Sequence, residues 1–258
     1  MQTLSSFSFI CELTDGSFIE KSVSDDSRKI SLRKMGIASV DLTPLGSLSS
    51  LEHFSVSYNP LCKIDLYPLS NCRNLKSLRM TGCMLDSIDL KPLEQLVHLE
   101  QLSISFNNLS RIDLSPLSSC SKLEILTINR NNLHNIELGP LASCSNLRTL
   151  NIGQNPLVAV DLNPLSKCEN LLSIVLNKTR IQSIDLSPLE NLYNLKGLDL
   201  SNNLLKKVDL RPLRQCDEMQ ELNFTDNPLE SIITIKGIAC KTLIINTDSE
   251  IEMIYSDD

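Results

Sequence analysis

Apolar residues recur in one fixed frame along most of this chain. Residues 99 to 122 give the type unit, beginning Leu99-x-x-Leu102-x-Ile104-x-x-Asn107-x-Leu109 and continuing Ile112-Asp113-Leu114-Ser115-Pro116-Leu117-x-x-Cys120. The first half alternates apolar Leu102 and Ile104 with polar Gln101, Ser103 and Ser105, the period of a half-buried strand. The second half is too short and too proline-rich for a long helix, and predicts a short α or 3₁₀ turn with Leu114, Leu117 and Cys120 facing inward. The unit returns every 24 residues: acidic residues stand at Asp41, Asp65, Asp89, Asp113, Glu137, Asp161, Asp185 and Asp209, each followed three residues later by proline.

A single such strand cannot bury its apolar face. Copies stacked about 4.8 Å apart form a parallel sheet over a shared core, so eight or nine strands predict a solenoid sheet on the order of 40 Å long. The asparagine at Asn59, Asn107, Asn131, Asn155, Asn203 and Asn227 falls where the chain leaves the strand, and its amide suits buried backbone groups there. Cys83 and Thr179 replace it in two copies and Met35 in a degenerate first copy, so weak points are expected at Cys83 and Thr179. Before the prolines, Thr43, Ser115, Asn163 and Ser187 are expected to cap the turns, whereas Tyr67, Lys91, Gly139 and Arg211 are poorer caps.

This frame resembles the leucine-rich repeat superfamily over roughly residues 27–232. The resemblance implies an α/β fold: a right-handed leucine-rich repeat solenoid, or horseshoe, with a parallel concave sheet and short convex helices or 3₁₀ turns. It also implies a non-catalytic interaction module, with adaptor or regulatory-subunit roles as in cytoplasmic members. Two flanking segments complete the expected organisation. Residues 1–26 read as an N-terminal capping hairpin around Thr14-Asp15-Gly16, placed over the open N-terminal edge of the stack. In residues 233–258 the code decays into a C-terminal cap: Ile233, Lys236 and Gly237 break it, Cys240 and Leu243 keep register, Lys241–Asn246 reads as a strand, Ile251–Tyr255 as a short apolar segment, and Ser256–Asp258 as frayed.

Composition narrows the function. A net charge of −7 argues against a phosphate-backbone binder and against general attachment to anionic membranes. No stretch reaches transmembrane length, and the first fifteen residues carry neither a basic start nor a long apolar run, so no secretory signal is expected. Of nine cysteines, six (Cys72, Cys120, Cys144, Cys168, Cys216, Cys240) share one repeat position with Leu48, Leu96 and Leu192. Exchange with leucine marks a buried apolar site where free cysteine acts as a small hydrophobe. An odd total fits a reducing compartment, and a cytoplasmic monomer is expected.

The surface free to vary is the concave face, basic toward the N-terminal repeats and acidic toward the C-terminal ones. Tyr58, Arg79, Phe106, Arg130 and Arg33 are the candidate contacts for a protein partner, since aromatic and arginine side chains anchor interfaces. The plainer alternative is that they are ordinary solvated side chains. A cation-sensing role for the acidic row is the other reading. Against it, each aspartate can fold onto nearby backbone amides, and glycine-rich calcium loops are lacking. A purely structural spacer is a third. No metal, cofactor or catalytic site is expected: His53, His98 and His134 fall in three different repeat positions, and no phosphate loop, paired Cys-x-x-Cys or nucleophile elbow is present.

Overall fold

The computed structural model describes residues 6–234, 242–244 and 251–255. Taken along the chain, β1 (Ser6–Leu13) and β2 (Phe18–Ser24) form an antiparallel hairpin, followed by β3 (Lys29–Ser31) and β4 (Ile37–Val40). Six three-residue strands come next, one per repeat: β5 (His53–Ser55), β6 (Ser77–Arg79), β7 (Gln101–Ser103), β8 (Ile125–Thr127), β9 (Thr149–Asn151) and β10 (Ser173–Val175). They are followed by β11 (Gly197–Asp199), β12 (Lys207–Asp209), β13 (Glu221–Asn223), β14 (Ser231–Thr234), β15 (Thr242–Ile244) and β16 (Glu252–Tyr255).

Ten of these strands make one parallel sheet in the order β15-β13-β11-β10-β9-β8-β7-β6-β5-β3. Its register follows the sequence period: Leu78 lies beside Leu102, Leu102 beside Leu126, and Leu126 beside Leu150. In the three-residue strands from β3 to β13 the middle residue points inward and is buried, Leu78, Leu102, Leu126 and Leu150 fully so. On the opposite side the chain returns through eight 3₁₀ turns among the described residues, such as Ser115–Ser119, with Leu117 and the following Cys120 also fully buried. The layers therefore enclose one core of leucine, isoleucine and cysteine running the length of the solenoid.

The capping of these turns differs from expectation. Ser115 is the first residue of its turn rather than its cap; Leu114 holds the cap position and makes no side-chain bond. Instead the Ser115 N–H donates to Asp113 Oδ1 at 2.9 Å. Asp41, Asp65, Asp89, Asp161, Asp185 and Asp209 accept from the residue two positions on in the same way. A backbone N–H needs no particular side chain, so Lys91 and Tyr67 are held as firmly as Ser115. The aspartate, not the residue before proline, marks the turn in seven of the eight repeats, Glu137 standing in its place in the eighth.

The hairpin is present, but it does not lie along the open edge of the concave sheet. β1 pairs with β4, giving a separate sheet in the order β2-β1-β4, while β3 ends the ten-stranded sheet. It closes the N-terminal end of the core with fully buried Phe9 and Cys11. The other end has a counterpart: β12, β14 and β16 form a parallel sheet on the returning side, and β15 extends the concave sheet beside β13. Lys236, Gly237, Cys240 and the segment 256–258 lie outside the described residues.

Candidate functional site

The asparagines fix how the chain leaves each strand. Asn107 Nδ2 donates to the carbonyls of Met80 and Ile104, at 2.9 and 3.0 Å, and its Oδ1 accepts from the N–H groups of Cys83 and Leu85, both at 3.0 Å. One buried amide thus ties two successive repeats together. Cys83 and Thr179 do only part of this. The Cys83 thiol reaches the Val56 carbonyl, and the Leu61 N–H turns to Asn59's own carbonyl. Thr179 Oγ1 bonds Leu176 and Asn203 Oδ1.

The residue just before this position carries the site. Lys34, Tyr58, Phe106, Arg130, Gln154, Lys178, Asn202 and Asp226 all have positive φ, between 51° and 62°, and Gly82 completes the row at 67°. Non-glycine residues seldom adopt this left-handed conformation, which costs on the order of 1 kcal/mol each. From Lys34 to Asn202 the turn is held in place because the N–H donates to a carbonyl of the next repeat, for instance Tyr58 to Thr81 (2.7 Å) and Phe106 to Asn129 (2.9 Å). The consequence is a row of side chains turned out at the exit of the concave strands, at 24-residue intervals. The expectation missed this backbone feature, although the interval itself pointed to the row.

Four of the five predicted residues meet there as two pairs. The Arg33 guanidinium lies 4.6 Å from the ring centroid of Tyr58, with Lys34 Nζ at 5.6 Å. Two repeats along, past Gly82, Arg130 lies 4.4 Å from the ring centroid of Phe106. Both rings stay exposed, Tyr58 at 45% and Phe106 at 43%, so each keeps free apolar surface beside a cation. Gly82 explains the pose of Tyr58: a Cβ there would stand 3.1 Å from Tyr58 Cδ1, so the ring packs on bare backbone. The fifth residue, Arg79, stands apart from both rings' pairs and donates from Nε and Nη2 to Gln101 Oε1, at 3.2 and 2.6 Å.

Between Tyr58 and Arg79 the face is hollowed into an open cavity of about 330 Å³. Lys29, Arg33, His53 and Arg79 line it with the hydroxyls of Ser31, Ser55, Ser57, Ser77 and Thr81, and no carboxylate does. Lys29 and His53 were not singled out from sequence, because a lone polar residue in a short strand carries no signal until its neighbours are known. Just outside, Glu52 accepts from Lys76 Nζ at 2.9 Å and from Arg28 Nη1 at 3.1 Å, and the Lys76 hydrogen bond is the main cause holding its carboxyl below the usual range. At the far end of the face the charge reverses to Asp199, Glu221 and Asp226.

The acidic row on the returning side is occupied by its own backbone. The amides of Thr43, Ser115, Ser187 and Arg211 bond Asp41, Asp113, Asp185 and Asp209, and these groups are shifted down, with Thr43, Ser115, Ser187 and Arg211 as the leading partners. Among the described residues no group of three or more histidine, cysteine or acidic side chains is placed to hold a metal ion, and no helix is long and apolar enough to cross a membrane. Among the described residues the repeated cysteines, Cys72, Cys120, Cys144, Cys168 and Cys216, are free and buried. Their thiols point at carbonyls 27 residues back, Cys72 to Leu45 at 3.3 Å and Cys168 to Leu141 at 3.4 Å, and burial pushes them up to about 11 or 12.

Residues 87–157 and 169–229 match the family described as leucine rich repeat. A comparison with curated protein sequences finds no match. Among solved structures, the chain is similar to an internalin, inlF, from Listeria monocytogenes, with 22% identity, 84% of this chain and 71% of that one covered, and a TM-score of 0.59. It is also similar to the functional domain of InlJ from the same organism, which includes a cysteine ladder, at 20% identity, 91% and 56% coverage and a TM-score of 0.57. A third likeness is the ectodomain of the plant membrane receptor kinase GASSHO1/SCHENGEN3 from Arabidopsis thaliana, in complex with Casparian strip integrity factor 2, with 25% identity, 82% of this chain and 25% of that one covered, and a TM-score of 0.66.

Proposed function

This chain belongs to the leucine-rich repeat family, and on that premise we propose that it is a non-catalytic interaction module docking a protein partner on the N-terminal half of its concave face. The observation that carries this reading is the pairing of Arg33 with Tyr58 and of Arg130 with Phe106. Each presents an exposed ring and a guanidinium on a backbone held by the neighbouring repeat. Aromatic side chains lose little entropy on binding, and an arginine already stacked on a ring has less left to lose; both residue types are enriched among interface hot spots. A fold commonly used for protein–protein contact, and the factor bound in the receptor-kinase complex, support the same reading. Arg79, steadied by Gln101, extends the surface across the cavity. The protein acts as a monomer in a reducing, cytoplasmic setting, a choice supported by the unpaired buried thiols.

Affinity capture from a native lysate tests the proposal. Wild type, the double variant Tyr58→Ala/Phe106→Ala and the returning-side variant Tyr67→Ala are compared as baits. Loss of a captured protein with the double variant alone supports concave docking. Equal capture by all three, or loss only with Tyr67→Ala, contradicts it.

A further inference from the structure

We propose that the cavity between Tyr58 and Arg79 receives an acidic peptide segment of the partner, with Arg33 and Arg79 holding its carboxylates. The inference rests on the docking reading above and names the chemistry of what docks.

The chain as a whole is acidic, at −7, yet Lys29, Arg33, Lys34 and Arg79 gather at one end of one face. None of the four forms an ion pair among the described residues. Their neighbours Arg28 and Lys76, by contrast, share Glu52. Fold stability needs no such cluster, because like charges this close repel one another, and a family of surface ion pairs at 24-residue spacing shows how readily this solenoid neutralises its cations elsewhere.

Geometry sharpens the point. Arg33 is fixed by the Tyr58 ring and Arg79 by the Gln101 amide, so both guanidiniums are positioned without being neutralised. A guanidinium's planar fork matches a carboxylate, and pre-positioning cuts the entropy cost of binding one. The serine and threonine hydroxyls on the cavity floor can donate to further oxygens or to peptide carbonyls. The polarity of the face also limits the segment's extent. Asp199, Glu221 and Asp226 close the far end to a run of negative charge, which confines the contact to the first repeats and disfavours a long polyanion such as a nucleic acid.

The test uses the full chain and fluorescently labelled synthetic peptides. One short peptide alternates glutamate with serine; its controls carry glutamine or lysine in place of glutamate, and a further one carries phosphoserine with glutamine. The glutamate peptide is expected to bind at least tenfold tighter than the glutamine and lysine peptides, and to weaken as salt rises. Arg33→Gln and Arg79→Gln should each weaken it by about five- to tenfold, while Arg148→Gln, on a pair outside the cavity, leaves it unchanged. Both arginines are solvent-facing, so circular dichroism melts will show the variants folded. Equal affinity for the glutamate and glutamine peptides, or binding of the phosphorylated peptide alone, overturns the inference. Should that happen while lysate capture still depends on Tyr58 and Phe106, docking stands and only its acidic character fails.

Discussion

The Arg130 guanidinium lies 4.4 Å from the centroid of the Phe106 ring, across the 24 residues that separate neighbouring repeats. Two consecutive copies of one backbone position thus build a contact that neither could make alone. Because the pair is exposed, it contributes little to folding, on the order of 0.5–1 kcal/mol. Phe106→Ala should therefore leave the thermal midpoint within about 2–4 °C of wild type, as read by differential scanning fluorimetry. A larger loss would mean that the ring supports the core, and its exposure would then need a structural explanation in place of a functional one.

The buried asparagines behave in the opposite way. Removing the Asn107 side chain takes the partner from the Met80 carbonyl and from the N–H groups of Cys83 and Leu85 in the interior, while the Ile104 carbonyl keeps Asn131 Nδ2 at 3.0 Å. Asn107→Ala should cost several kcal/mol, about 3–5, since each buried unsatisfied group costs about 1–3. Thr179→Asn should do the reverse and stabilise by about 0.5–2 kcal/mol, by restoring the bonds that the other copies make. Urea denaturation of both variants checks the pair.

How much of this was readable from the chain is clear from such positions. The 24-residue frame placed the strands, the core leucines and the tying asparagines, because each rests on a side chain whose chemistry is legible by itself. The turn caps were misassigned, since a serine before proline looks like a cap, while the bond actually runs from its backbone N–H to Asp113. The hairpin's strand partner was not legible, because sequence gives strands but not their pairing: β1 joins β4, while β3 ends the concave sheet. The left-handed row at Tyr58, Phe106 and Arg130 was invisible for another reason. It is imposed by hydrogen bonds from the next repeat and leaves no residue preference, as lysine, tyrosine, glutamine and aspartate all occupy it.

Gly153 shows how tightly one repeat constrains the next. A Cβ built there would overlap Asn177 Oδ1 and stand 2.9 Å from the Asn177 backbone oxygen. Asn177 is held from the other side by Asp199, to which its Nδ2 donates at 2.8 Å. Gly153→Ala must therefore push strand against strand, and a loss of about 1–3 kcal/mol is expected. Chemical denaturation reads it out; an unchanged midpoint would mean that the concave strands yield more easily than their register suggests.

The cysteine row predicts an alkaline weakness. Burial raises Cys72, Cys144 and Cys216 to about 11 and Cys120 and Cys168 to about 12, against an ordinary 9.0. Below 9.0 the thiols are neutral in both folded and unfolded chains, and stability is unaffected. As pH climbs from there toward 11 or 12, only the unfolded chain ionises, so folding loses up to about 1.4 kcal/mol per unit for each thiol. Melting temperature should fall steeply above pH 9, and less so in Cys120→Leu, which copies the leucine of other repeats at this position. Identical alkaline profiles for the two proteins would place these thiols in contact with solvent.

The central claim is that the N-terminal concave face is where the partner sits, and site-specific photocrosslinking addresses it most directly. A benzophenone side chain placed at Tyr58, or at Tyr67 on the opposite side of the solenoid, is irradiated in native lysate. The account predicts a discrete adduct from position 58, suppressed when Phe106→Ala is added, and none from position 67. An adduct from position 67 alone would contradict it.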